Sequence, residues 1–128
     1  MVIYTSTYMD ANDELGLNDL AGIEGFDWDK ANIVKNREKH GVEPQEYEEI
    51  FFNTPLIFLK DPKHSTNKER RFGLLGKTNA GRKLEMYFTV RDNKIRIIAA
   101  WDMSRRGKAV YITQEEQEKK IERGENLK

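Results

Sequence analysis

The stretch Lys94-Ile95-Arg96-Ile97-Ile98-Ala99-Ala100-Trp101 decides the fold that we predict for this chain. Its β-branched residues suit a strand at the centre of a small sheet. Strict alternation would place Ile95, Ile97, Ala99 and Trp101 on one face of the strand and Arg96, Ile98 and Ala100 on the other. Ser104 follows, in a position to cap a helix that begins with Arg105 and Arg106. The strand therefore joins an apolar core to a cluster of positive charge.

The composition indicates one domain with a strongly charged surface. The chain has 128 residues, of which 38% are hydrophobic and 34% are charged, and it contains no Cys. Disulfides and thiolate metal sites are therefore excluded. No apolar run reaches the ~20 residues that a membrane helix needs, and the first residues lack the pattern of a secretory signal. We expect a cytoplasmic protein that makes no membrane contact.

The net charge of zero hides an uneven distribution of charge along the chain. Residues 1–25 contain five acidic residues and no Lys or Arg, whereas residues 26–112 hold 18 Lys and Arg against 12 Asp and Glu. A basic middle segment with an acidic leader suggests a polyanionic partner for the middle segment. An imbalance of this size also arises by chance in many domains, so charge alone does not identify the partner.

Two helices are predicted before the sheet. Residues 27–41 form the first, capped by Asp27 or Asp29, with Val34 among its buried residues and Gly41 in the left-handed position that ends a helix. Glu43 precedes Pro44, which suits the first turn of a second helix. That helix ends at Asn53-Thr54-Pro55.

Four strands are predicted after the helices, joined by short links that favour an antiparallel meander. They are Leu56–Lys60, Arg71–Lys77, Lys83–Arg91 and Lys94–Trp101. One or two helices close the fold, because Thr113-Gln114-Glu115-Glu116 resembles a capping box that would begin a separate last helix. The fold class is therefore α+β: two N-terminal helices packed on a four-stranded antiparallel sheet, with one or two C-terminal helices.

We expect three segments. Residues 1–25 form an acidic N-terminal extension, in which Val2–Tyr8 is a candidate edge strand. Residues 26–112 form the folded domain, and residues 113–128 form a polar C-terminal helix or tail.

Several motifs follow one another in a distinctive order along the chain. The first is Phe26-Asp27-Trp28-Asp29 with Lys30, Asn32 and Asn36, followed by Lys39-His40-Gly41-Val42. The series continues through Asp61, Ser65, Glu69-Arg70-Arg71-Phe72, Gly76, Thr89, Ile95-Arg96-Ile97-Ile98, Arg105-Arg106 and Tyr111. Taken in order, these motifs resemble the BrnT family of toxins, and the resemblance covers about residues 26–111.

The resemblance implies a RelE-like fold and a ribonuclease toxin of a type II toxin–antitoxin pair. It implies an RNA substrate and a BrnA-like antitoxin that silences the toxin, while self-association is left open. We expect RNA cleavage without a metal or another cofactor.

The chain departs from the family pattern at the end of the last strand. The family usually ends this strand with Ile-Ser-Ala-Arg, whereas this chain has Trp101 in the position of the arginine, followed by Asp102. Gly107 stands where the family commonly has Glu. These departures keep an alternative open: a catalytically inactive module that binds an antitoxin-like protein or nucleic acid.

The candidate catalytic residues follow from the chemistry of RNA cleavage by 2′-OH attack. The reaction needs a base, cationic stabilisation of the phosphorane and a proton for the leaving oxygen. The candidates are Arg71 and Arg96 as phosphate clamps on an exposed sheet face, Tyr87, Glu85, His40 and Lys39. Arg105, Arg106 and Lys108 are the candidate RNA-binding residues.

Each candidate also has a purely structural interpretation. Arg71 and Arg96 would then belong to a solvated sheet face, Tyr87 and Trp101 would pack, and His40 would bond carbonyls at a helix end. Asp61, His64 and Glu69 could be imagined as metal ligands, but they share one loop without a ligand spacing, which favours a solvated loop.

Overall fold

The computed structural model describes residues 3–5, 22–60 and 69–124, and over these ranges the protein is α+β, with three helices and one six-stranded sheet. The strands are β1 (Ile3–Thr5), β2 (Gly25–Phe26), β3 (Ile57–Lys60), β4 (Arg71–Lys77), β5 (Lys83–Arg91) and β6 (Lys94–Asp102), and the helices are α1 (Lys30–His40), α2 (Pro44–Ile50) and α3 (Arg105–Glu122). The strand order across the sheet is β1-β3-β4-β5-β6-β2. The predicted fold class is confirmed at the level of α+β.

The prediction of a four-stranded antiparallel sheet is wrong in detail. Strands β3 to β6 are antiparallel neighbours, but β1 adds an antiparallel strand beside β3, and β2 pairs in parallel with β6. These two strands also precede the helices, which are therefore not the first elements of the fold. β1 falls within the candidate edge strand Val2–Tyr8 and lies at an edge of the sheet, whereas β2, with two residues, is too short for an alternating pattern to reveal it. Residues 6–21, which connect β1 to the region of β2, lie outside the described residues.

Helix α1 lies against β6, and its polar side chains form hydrogen bonds with backbone groups of that strand. The Asp29 side chain caps its start by accepting from the Asn32 amide at 3.0 Å, and Gly41 ends it with φ of 63°. Its fully buried residue is Asn36, whereas Val34, which we expected to be buried, is 46% exposed. The Asn36 amide donates to the Ile98 carbonyl at 3.4 Å and its oxygen accepts from the Ala100 amide at 3.3 Å. The helix therefore supplies hydrogen bonds to a strand edge, which an apolar residue could not do.

The main core lies between the sheet and the helices α1 and α2. Tyr47 and Ile50 of α2 pack with Leu74, Met86 and Phe88 of the sheet, and all five are buried. Burial of this many large apolar side chains supplies most of the driving force for the fold.

A smaller core lies on the opposite face of the sheet, beneath α3. Ile57, Leu59, Leu75 and Met103 surround Tyr111, whose hydroxyl donates to the Pro55 carbonyl at 2.7 Å. We call this face of the sheet the α3 face. Helix α3 thus closes the molecule on the side away from α1 and α2.

Helix α3 is a single helix of 18 residues, so the predicted second helix after Thr113 does not form separately. Ser104 caps α3 by accepting from the Gly107 amide at 3.1 Å, as expected. The Thr113 hydroxyl donates to the Ala109 carbonyl four residues earlier, which is a bond of the helix interior and not of a cap. Tyr111, just before the predicted break, is buried against the sheet, and the helix continues through this position as one element.

A bulge in β6 changes which of its residues share a face. Tyr87 pairs with Ala99 but Phe88 pairs with Ile97, so Ile98 is the extra residue of β6. A bulge of this kind reverses the alternation beyond it. Ile95, Ile97 and Ala100 therefore enter the main core. Our expectation that Ala99 and Trp101 share the face of Ile95 is wrong.

Candidate functional site

The bulge turns Trp101 toward the α3 face, where the predicted site residues of β4 and β5 lie. Across the sheet, Leu75, Glu85 and Trp101 form one register row, and Gly73, Tyr87 and Ala99 form the next. Rows on one face are about 6.8 Å apart along the strands. Glu85, Tyr87 and Trp101 are therefore neighbours, although Trp101 was not expected on this side.

Tyr87 and Glu85 are joined directly. The Tyr87 hydroxyl donates to Glu85 Oε2 at 2.7 Å, although the two residues are separated by only one position in β5. Gly73 lies opposite Tyr87 in β4, and a Cβ at Gly73 would come within 3.0 Å of Tyr87 Cε1 and 2.8 Å of Leu59 Cβ. The missing side chain therefore leaves the space in which the Tyr87 ring lies over β4.

Trp101 lies between Tyr87 and His40. Its ring centroid is 5.4 Å from that of Tyr87 and 5.6 Å from that of His40, and both contacts are tilted. His40 comes from the last turn of α1, which reaches this place because α1 packs along β6. The structure thus brings together three predicted site residues (His40, Tyr87 and Glu85) around one indole ring.

Arg71 and Arg96 share the α3 face but both engage carboxylates. They occupy one register row with Thr89 between them. Arg96 Nη2 lies 3.0 Å from Asp27 Oδ2, and Arg96 Nη1 lies 3.6 Å from Asp29 Oδ2. Arg96, one of the two candidate phosphate clamps, is therefore paired with two carboxylates.

Arg71 belongs to a second ionic group, around Glu69. Arg71 Nε lies 3.7 Å from Glu69 Oε1, and Arg91 Nη2 lies 2.8 Å from Glu69 Oε2. The hydrogen bond from Arg91, with the positive charges of Arg71 and Arg96 nearby, holds the pKa of the Glu69 carboxyl below its usual value. The carboxylate is therefore charged at neutral pH and offsets part of the positive charge of this row.

The remaining basic candidates lie at the exposed ends of helices. Arg105, Arg106 and Lys108 are exposed in the first turns of α3, beside the row that contains Trp101. Lys39 is exposed in the last turn of α1, one residue before His40. These side chains are available to phosphate groups at the surface.

A cavity of about 270 Å³ lies between the start of α3 and the sheet. Its lining residues are Leu59, Leu75, Glu85, Trp101, Ser104, Arg106, Gly107 and Val110. The cavity therefore borders the cluster of Glu85 and Trp101 on one side and the basic start of α3 on the other.

Arg82 is a supporting residue that sequence reasoning did not single out. Its guanidinium donates to the carbonyls of His40 and Gly41, at 3.2 and 2.9 Å, and to the carboxylates of Glu46 and Asp102. It thereby ties the end of α1, which carries His40, to the end of β6, which carries Trp101. In the sequence it is one Arg in a turn, with no local signal of this role.

No group of three His, Asp or Glu side chains within residues 22–60 and 69–124 is arranged to hold a metal ion. Of the imagined ligand set, Asp61 and His64 lie outside the described residues, and Glu69 pairs with Arg91. No helix in the described part of the chain is both long and apolar enough to cross a membrane.

Comparison with known proteins identifies the family. No protein in a curated set matches the chain. The family model described as "Ribonuclease toxin, BrnT, of type II toxin-antitoxin system" matches residues 28–107, which run from just before α1 into the first turn of α3. This range contains the cluster around Trp101 and is more than half of the chain. The chain therefore belongs to the BrnT family of ribonuclease toxins of type II toxin–antitoxin systems.

Proposed function

We propose that this protein cleaves RNA without a metal ion at the α3 face and that a BrnA-like antitoxin silences it by covering that face. The observation that carries the proposal is the cluster of His40, Tyr87 and Glu85 around Trp101, next to the exposed basic start of α3. A RelE-like fold is part of this proposal and is supported by the two helices and antiparallel strands in the order that the resemblance implies.

The proposed reaction is a transesterification. The 2′ oxygen attacks the adjacent phosphorus while its proton goes to a base, and the bond from phosphorus to the 5′ oxygen breaks as that oxygen receives a proton. The products are a 2′,3′-cyclic phosphate and a 5′ hydroxyl. His40 and Tyr87 flank Trp101 and are the groups we assign to the two proton transfers.

Glu85 has a supporting role in this scheme. Its carboxylate accepts from the Tyr87 hydroxyl at 2.7 Å and so orients the phenol. Arg106 lines the cavity together with Glu85 and Trp101, and we assign it to the developing charge on the phosphorane.

Arg71 and Arg96 are assigned to phosphates farther along the RNA. A phosphate at either position competes with carboxylates, which are Asp27 and Asp29 for Arg96 and Glu69 for Arg71. Lys39, Arg105 and Lys108 extend the same basic surface. An antitoxin that covers these residues would exclude RNA by occupying the same charges.

Two observations favour the inactive binding module as a second candidate. Arg96 is held by Asp27 and Asp29, and Trp101 occupies the position of the arginine in the family pattern. Such a module would bind RNA or an antitoxin with a strong salt dependence and would cut nothing.

The decisive experiment incubates the purified full chain with single-stranded RNA in EDTA. We expect cleavage products with cyclic phosphate ends, and we expect Tyr87→Phe and His40→Gln to lower the rate by 100-fold or more, the usual scale for a lost general acid or base. Lys119→Ala, in the exposed second half of α3, serves as the control and should cleave at the rate of the unmodified chain.

If RNA binds tightly but stays intact, the nuclease proposal is wrong and the inactive binding module is supported. Equal rates for the unmodified chain, Tyr87→Phe and His40→Gln would remove the assigned site even if cleavage occurs.

A further inference from the structure

We infer that the cavity between α3 and the sheet binds one nucleobase of the RNA, with guanine as the preferred base. This inference rests on the proposed function, because it adds base recognition to the proposed RNA-cleaving site. Three features support it: the lining of the cavity, the glycine in the helical wall of the cavity and the charges at the edge of the cavity.

The lining suits a flat, mostly apolar ring with polar edges. Leu59 and Leu75 are almost completely buried apolar residues of the sheet, and Val110 adds a third apolar side chain from α3. Trp101 adds an aromatic surface, of the kind on which unpaired bases stack. A cavity of about 270 Å³ is large enough for a single base.

The polar groups of the lining favour a base over an apolar protein side chain. Glu85 contributes a carboxylate, which accepts hydrogen bonds and donates none when it is charged. An apolar side chain in the cavity would bury this carboxylate beside groups that cannot bond it, at a cost in binding. Guanine presents two adjacent N–H donors on its pairing edge, and a carboxylate can accept from both.

Gly107 keeps the helical wall of the cavity open. Glycine inside a helix costs about 1 kcal/mol relative to alanine. A Cβ at Gly107 would lie 3.7 Å from Leu75 Cδ2, so it would point toward a residue of the cavity lining. Any longer side chain at this position would extend into the space between α3 and the sheet.

The charges at the start of α3 suit the phosphates that flank a bound base. Arg106 lines the cavity, and Arg105 and Lys108 are exposed beside it. A base in the cavity would leave its own phosphate within reach of these cations. The same surface would therefore hold the backbone while the cavity reads the base.

The test measures the binding of mononucleotides to the full chain, independently of RNA cleavage. The chain has two Trp residues, so Trp28→Phe makes Trp101 the single fluorescent indole. In this background we expect GMP to quench Trp101 fluorescence and to bind roughly tenfold or more tightly than UMP, the scale of one bidentate hydrogen-bonded contact. Glu85→Gln should reduce the preference for GMP, because the amide donates where the carboxylate accepted.

Substitution at Gly107 provides a matched pair. Gly107→Leu should abolish quenching by GMP because its side chain fills the cavity, whereas Gly107→Ala should retain it. Both variants should show the circular dichroism and cooperative melting of the parent chain, which verifies that they fold.

The outcomes separate this inference from the proposed function. If the chain binds GMP but does not cut RNA, the base-site inference is supported and the proposed nuclease function is wrong. RNA cleavage with no mononucleotide binding, or with equal binding by Gly107→Leu, overturns the base site. Antitoxin binding that Gly107→Leu alone abolishes, without any binding of GMP, would assign the cavity to a protein side chain and would also overturn it.

Discussion

Asn36 shows how strongly one polar residue contributes to this fold. It is fully buried in α1, and its side chain bonds the backbone of β6 on both sides of the residue Ala99. The extra carbonyl that the bulge leaves at Ile98 also accepts from Lys35 Nζ at 2.7 Å. The bulge that orients Trp101 is thus stabilised by polar groups of α1.

Replacing Asn36 tests this role. Asn36→Ala leaves the Ala100 amide without its bond from α1 and should lower the free energy of unfolding by roughly 1–3 kcal/mol, the cost of an unsatisfied buried group. Urea denaturation measures the change. Gln45→Ala, at an exposed position of α2, should stay within about 0.5 kcal/mol of the unmodified chain. Similar losses in both variants would contradict the role of Asn36.

Asp102 gives a prediction that depends on pH. The hydrogen bond from Arg82, at 2.8 Å, holds the pKa of the Asp102 carboxyl below its ordinary 3.8. An acid whose pKa is lowered by folding stabilises the fold above its ordinary pKa, and this contribution disappears as the pH falls through the lowered value. Because Asp102 is well exposed, the contribution is at most about 1 kcal/mol.

Asp102→Asn should therefore be less stable than the unmodified chain at pH 7, and the difference should shrink steadily below about pH 4. Urea denaturation at several pH values measures it, with Glu116→Gln on the exposed side of α3 as the control. A difference that stays constant down to the lowest pH would show that the charge of Asp102 is not its source.

At the scale of elements, β6 and α3 together define the candidate site. The bulge in β6 places Trp101 on the α3 face, and the first turns of α3 place Arg106 and Gly107 opposite it. The second half of α3 packs less: Ile121 is 60% exposed and lies outside the range that the family model matches. The first half of α3 is therefore the part that the site requires.

Substitution of Gly107 tests whether this glycine lowers the stability of α3 and whether the space beside it admits a methyl group. Gly107→Ala should raise the free energy of unfolding by up to about 1 kcal/mol, because alanine is the better helix former and its Cβ would meet neighbours at 3.4 Å or more. Ala109→Gly, at an exposed position of the same helix, should lower it by a similar amount. Thermal unfolding measures both changes. A loss of stability in Gly107→Ala would show that this helical wall has no room for a methyl group.

At the scale of the whole molecule, strands near the two ends of the leader form the two opposite edges of the sheet. Ile3–Thr5 pairs with β3 at one edge, and Gly25–Phe26 pairs with β6 at the other. The proposed division of the chain into a leader (residues 1–25), a domain (residues 26–112) and a tail (residues 113–128) stays a prediction. Removal of the leader would nevertheless change the sheet itself.

Removing residues 1–5 should therefore expose one edge of the sheet. We expect hydrogen exchange of β3 amides to become faster, because backbone groups that pair with β1 then face water. Amides of β5, which lies between two other strands, should keep their rates and serve as the internal control. Unchanged exchange throughout β3 would mean that β1 does not protect this edge.

The sequence by itself determined the order of α1, α2 and the strands β3 to β6, and the family to which they belong. These features depend on local signals: Asp29 and Gly41 at the ends of α1, Pro44 at the start of α2, and alternating apolar residues in β5. The candidate edge strand Val2–Tyr8 contains β1, whereas β2 was not predicted because a strand of two residues is too short to show a period. The apparent cap at Thr113 misled the prediction because packing of Tyr111 keeps α3 continuous.

Only the tertiary structure decided how the candidate site is assembled. The face on which Trp101 lies depends on a bulge that α1 stabilises, and the engagement of Arg96 depends on Asp27, which is 69 positions away in the sequence. The cavity is lined by Gly107 of α3 and Leu75 of β4, which only the packing of α3 on the sheet brings together. Such contacts join residues that are distant along the chain, and therefore no local pattern of residues could reveal them.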